Sequence, residues 1–107
     1  MTEVDVRERT VEPGPLYVDG QPVRIRIRKR GHRYDIDDNG EAWRRAAVSG
    51  REALAAAERV VAAEGFNVNR SGVVFVPAVE GRDIDGLATR LADCSRAVHA
   101  ALFELES

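Results

Sequence analysis

One alternating run, Val23 to Asp37, constrains this chain more than any other stretch. Val23, Ile25 and Ile27 point one way along an extended backbone, and Arg24, Arg26 and Arg28 point the other. Gly31-His32 suits a two-residue hairpin turn, because glycine takes the positive φ of its first central position without steric penalty. That turn sets Ile27 opposite Ile36, Arg28 opposite Asp35 and Arg26 opposite Asp37. Both faces are then self-consistent: aliphatics on one, Arg–Asp pairs on the other. A slip of one residue would put arginine against isoleucine and spoil both faces.

The rest of the chain is built around this hairpin. Residues 1–14 read as an N-terminal arm or edge strand, and Pro13-Gly14-Pro15 breaks it. Leu16-Tyr17-Val18 is a short strand candidate, followed by the turn signal Asp19-Gly20. After the hairpin, Asp37-Asp38-Asn39-Gly40 offers Asp38 or Asn39 as the cap of a helix over 41–48. Ser49 with Glu52 forms a capping box for a second helix over 51–64, which Gly65 stops. Phe66–Asn69 and Val73–Val76 read as strands, the second apolar on both faces, with Pro77 as its end and Val79–Arg82 as loop. Asp83 caps a last helix over 84–105 whose apolar stripe is Ile84, Leu87, Leu91, Cys94, Val98, Leu102 and Leu105. The order β-β-β-α-α-β-β-α predicts an α+β fold: one domain over 15–107, an antiparallel sheet of about five strands, helices on one face. The apolar side of the hairpin is expected to lie under the last helix.

The frame Val18-Asp19-Gly20, followed by a hairpin ending in Asp37-Asp38-Asn39-Gly40, resembles an uncharacterised prokaryotic domain family. In that family a hairpin ends in a D-D-G-type turn that opens a helix. The similarity runs from about Leu16 to Glu106 and includes the Gly65-Phe66-Asn67-Val68 strand entry; the inserted Asn39 departs from the motif. The family has no assigned reaction, so the resemblance implies a fold and no activity. The element order also looks like that of small secretion chaperones without their first helix, an analogy of fold alone.

At 107 residues the chain has room for one modest core. A formal charge of -2 selects neither nucleic acid nor membrane as a partner. Lys29 is the only lysine among 16 basic residues, and alanine is abundant, as GC-rich coding produces. The single cysteine, Cys94, allows neither an intrachain disulfide nor a cysteine zinc site. No apolar run approaches a membrane span, and the N-terminus lacks a signal-peptide pattern. These features point to a reduced, cytoplasmic, bacterial-type protein.

Four groups of residues could carry function. The hairpin concentrates Arg24, Arg26, Arg28, Lys29, Arg30 and Arg33, a ribbon able to meet phosphates. Asp37 and Asp35 neutralise Arg26 and Arg28, which leaves Arg24, Lys29, Arg30 and Arg33 around His32. Without interleaved aromatics, a solvated sheet face accounts for the ribbon better than a nucleic-acid contact does. Asp35, Asp37, Asp38 and Glu41 supply hard oxygen ligands, but Asp38 points away from its neighbours and the spacing fits no calcium loop. Cys94 lies on an apolar stripe and His99 five residues on, which separates them around the helix, so no catalytic set is recognisable. Val74 and Val76, read as facing outward, with His99 and Phe103 off the last helix's stripe, form a candidate partner surface. The leading expectation is a non-enzymatic binding or regulatory module that works by protein–protein contact and self-associates, with no cofactor and no metal. A nucleic-acid accessory protein using the arginine ribbon is the alternative, and a metal-dependent hydrolase at the acidic turn the third.

Overall fold

The hairpin folds in the register its alternation demands. In the computed structural model, which describes residues 8–46 and 48–105, β2 (Ile25–Arg30) pairs antiparallel with β3 (Arg33–Asp37). Arg26 faces Asp37, Ile27 faces Ile36 and Arg28 faces Asp35. On its other edge β2 pairs antiparallel with β1 (Glu8–Val11), so the end of the 1–14 segment is an edge strand. Its first seven residues lie outside the described residues.

Five antiparallel strands form one sheet in the order β1-β2-β3-β5-β4, where β4 is Asn67–Val68 and β5 is Val74–Val79. Two short helices, α1 (Glu41–Arg45) and α2 (Arg51–Glu64), connect β3 to β4, and α3 (Ile84–Leu105) follows β5. The helices pack on one face, giving the α+β fold expected from the element order. Ile25, Ile27, Ile36, Val74 and Val79 line that face and are buried against Leu91, Val98 and Leu102 of α3. Ala53, Ala56 and Ala57 keep the buried side of α2 small, which lets it pack closely beside α3.

Several local expectations are corrected. Leu16–Val18 is a turn with one isolated bridge, Leu16 to Pro22, and the fifth strand is β1 instead. Pro15 accepts the Val23 amide at 3.0 Å, so the proline-rich break is folded back onto the start of the hairpin. The first helix stops at Arg45 because Ala46 is extended (φ -80°, ψ 141°); Ala47 lies outside the described residues. Gly50, not Ser49, holds the N-cap position of α2, and no side chain bonds there. Ser49 sits one residue too early to reach the free amides of the first turn. Leu105, placed on the buried stripe of α3, is 39% exposed at the helix end.

Pro77 does not end β5. The ladder pairs Ile36 with Val76 and Tyr34 with Val79, so Pro77 and Ala78 both oppose Asp35 in a bulge. A bulge needs no ladder amide from proline. Ala78 takes a left-handed φ of 58°, a conformation that costs a non-glycine residue about 1 kcal/mol. The Asp35 carboxylate holds it by accepting the Ala78 amide at 3.0 Å. Between β4 and β5 the chain turns at Gly72, which has φ 80° and lies under Trp43. A Cβ on Gly72 would sit 2.3 Å from the indole Cγ, so only glycine fits this corner.

Candidate protein-contact surface

The residues singled out by sequence separate into three places. At the hairpin, the cations are largely committed to acids of the same sheet face. Arg26 grips Asp37 with two bonds of 3.0 and 3.2 Å. Arg28 reaches diagonally to Asp37 at 3.0 Å rather than across to Asp35. That leaves Asp35 for Arg30, which binds it with two bonds of 2.8 and 3.1 Å. The Arg30 guanidinium holds the Asp35 carboxyl below the usual carboxylate range. Arg33 pairs with Glu80 at 2.9 Å. Arg30 and Arg33, expected to lack acids, are therefore both paired: one by a diagonal across the hairpin, the other by the strand-to-helix connection after β5. Arg24, Lys29 and His32 are exposed. His32 and Arg33 border a shallow depression with Glu80, Gly81 and Arg82.

Val74 and Val76 do not face outward. Val74 is fully buried and Val76 half-buried. β5 runs between β3 and β4, and the side carrying Val74 and Val76 is the side the helices cover. The apolar character of both faces of this segment thus marks an interior strand. Cys94 is buried, and its thiol is pushed up to about 12, first by burial and then by nearby carboxylates.

His99 is buried as well, at 2% exposure, and it leads to a network that the sequence analysis missed. Tyr17 inserts from the Pro15–Val18 loop and its ring meets His99 edge-on, with centroids 5.2 Å apart. The Tyr17 hydroxyl lies 2.8 Å from Ser95 Oγ, and the Ser95 hydroxyl donates to Asp38 Oδ2 at 2.7 Å. Tyr17 therefore supplies the proton of the first bond. Asp38 Oδ1 accepts the amides of Gly40 at 2.8 Å and Val74 at 3.0 Å. One fully buried carboxylate thus ties the turn before α1 to β5 and α3, while Gly40 rather than Asp38 or Asn39 holds the N-cap position, with no side-chain bond there. No cation pairs with it among the described residues; burial raises its proton affinity, and the Ser95 and backbone bonds oppose that rise. Burial likewise pushes the Tyr17 hydroxyl well above its ordinary value. The signal in the sequence was Ser95 and His99, two polar residues four apart and each next to a stripe residue, on a buried face of the last helix wider than its apolar stripe.

Anchoring Tyr17 determines what its neighbours do. The turn after it closes through the Gly20 amide to Tyr17 O at 2.9 Å and the Tyr17 amide to Gln21 O at 2.9 Å. Arg45 stacks over the Tyr17 ring at 5.2 Å and reaches Asp19 at 3.0 Å. Its Nε also lies 3.2 Å from Glu41, an ion pair bent too far for a hydrogen bond. With Tyr17 turned inward, Leu16 and Val18 turn outward, at 49% and 51% exposure. They stand beside a groove of about 1020 Å³ between this loop and the outer face of α3. Ala97, Ala100 and Ala101 contribute small side chains to it, and Arg96 and Glu104 provide opposite charges. Phe103, as expected from its place off the stripe, is 47% exposed, its ring centroid 6.4 Å from that of His99.

The acids of the D-D-N-G end do not converge. Asp37 turns to the open sheet face and Asp38 into the core, and no cluster of metal-ligating residues occurs among the described residues. No described helix is long and apolar enough to cross a membrane. Comparison with protein-family models, curated proteins and solved structures gave no match.

Proposed function

We propose that this chain is a binding or regulatory module, without catalysis of its own, that acts by protein–protein contact through the Leu16–Val18 loop and the outer face of α3. One observation carries the reading. Leu16, Val18, Phe103 and Leu105, the large apolar residues left exposed among the described residues, all belong to these two elements. Scattered apolar residues are ordinary on a surface, but exposed ones confined to two neighbouring elements, two of them lining the groove, mark a contact site. The hairpin arginines support a phosphate-binding role less well, because four of them already hold carboxylates.

The test is capture from lysate of the native host with wild type and with a Leu16→Ser/Phe103→Ser double variant. Both side chains are about half exposed, so the fold should survive the change. A protein recovered by wild type and lost by the variant is the expected result. Equal recovery by both, or loss only on Arg30→Ala/Arg33→Ala, would overturn the reading.

A further inference from the structure

We infer that the occupant of this groove is a second copy of the chain, packed two-fold with its α3 antiparallel to the first and the symmetry axis at Ala100. This rests on the protein-contact reading above and names the partner. Arg96 and Glu104 lie four residues on either side of Ala100 and share the groove with it. A two-fold axis there brings each copy's Arg96 to the other copy's Glu104, and symmetry makes the ion pair twice. Parallel packing of the same helices would instead set arginine against arginine and glutamate against glutamate. Within one helix the two residues are eight positions, or about 12 Å, apart and cannot satisfy each other. Among the described residues neither has an ion-pair partner.

The packing surface suits the same arrangement. Alanine at 97, 100 and 101 lets two helix axes approach to about 8 Å. Leu16 and Val18 then become the wall against which the second helix lies. The pair forms from one self-complementary patch and closes on itself, so it makes a dimer and not a fibre.

Sedimentation equilibrium of the full chain at tens of micromolar tests the inference, with circular dichroism to confirm folding of each variant. Wild type should sediment at twice 11.8 kDa. Arg96→Glu and Glu104→Arg should each raise the dimer dissociation constant by about tenfold or more, through like-charge juxtaposition. Combining them should restore association, because the pair is only reversed. Ala100→Cys should give a disulfide-linked dimer on mild oxidation, since the axis residue faces its own copy while Cys94 is buried. A wild-type monomer, or a dimer indifferent to all three single changes, would overturn the inference. A monomer that still captures another protein in a Leu16- and Phe103-dependent way would leave the module reading standing. A monomer whose captures ignore those residues would end both.

Discussion

Asp37 and Asp38 are neighbours in sequence, both almost completely buried, and held in opposite ways. Asp37 lies on the open face of the sheet, covered by the arginines that neutralise it, whose side chains remain 24% and 46% exposed. Asp38 faces the core and is held by neutral donors: backbone amides, among them those of Gly40 and Val74 at 2.8 and 3.0 Å, and the Ser95 hydroxyl. The first arrangement is a clamp that water can partly replace. The second is a junction whose donors have nowhere else to turn. A buried carboxylate thus has two structural meanings here, and the partners left behind on its removal distinguish them.

The largest expected effect is at the junction. Asp38→Ala strands the Gly40 and Val74 amides and the Ser95 hydroxyl in the interior, and should cost about 3–5 kcal/mol. At roughly 4 °C or more per kcal/mol for a domain of this size, thermal melting should fall by about 12 °C or more. Ser95→Ala, which leaves Asp38 Oδ2 and the Tyr17 hydroxyl without their partner, should cost about 1–3 kcal/mol in a urea titration. Asp37→Ala should cost about 1–2 kcal/mol, because Arg26 and Arg28 can turn to solvent. About 1 M salt should shrink the Asp37 penalty and leave the Asp38 penalty nearly unchanged. Equal penalties with equal salt response would remove the distinction.

The smallest expected effect is a pH dependence with opposite signs. Asp35 has its proton affinity lowered, chiefly by Arg30, so its stabilisation is present above 3.8 and is lost as pH falls through its depressed folded value. The melting difference between wild type and Asp35→Asn, about 0.5–1 kcal/mol at neutral pH, should therefore vanish in acid. Asp38 is shifted upward by burial, so ionising it in the folded state costs stability as pH climbs from 3.8 through its raised value. An acid melting series in which Asp35→Asn runs parallel to wild type at every pH would contradict the assignment of Arg30 to Asp35.

The hairpin register was legible because two local signals agree: apolar residues alternate with cations, and the acids return at matching distance after the turn. The extents of α2 and α3 matched the reading: Gly65 stops α2 as expected, while the start of α2 was placed from a Ser49–Glu52 capping box that does not form. The diagonal shift of the clamp was not legible, since Arg28 and Arg30 are each long enough to choose between two acids and alternation does not rank the choices. The Asp38 junction joins residues 57 positions apart, and Tyr17 adds a link of 78; no local pattern carries such distances. Pro77 misled because proline ordinarily ends a strand, and here a bulge absorbs it. Leu16 and Val18 looked like strand residues until the burial of Tyr17 between them turned both outward. The surface proposed for contact was therefore only partly visible in advance, through Phe103.

The corner where Trp43 lies over Gly72 has a spectroscopic consequence. The chain has one tryptophan, so its indole emission comes from a single place, where α1 meets the turn between β4 and β5. That turn is tied through the Asn69 side chain to the amides of Ser71 and Val73 at 2.9 and 3.0 Å. The indole is thus a built-in reporter of whether the outer hairpin of the sheet is seated, on a different part of the chain from the Tyr17–His99–Phe103 ring cluster beside the α3 groove.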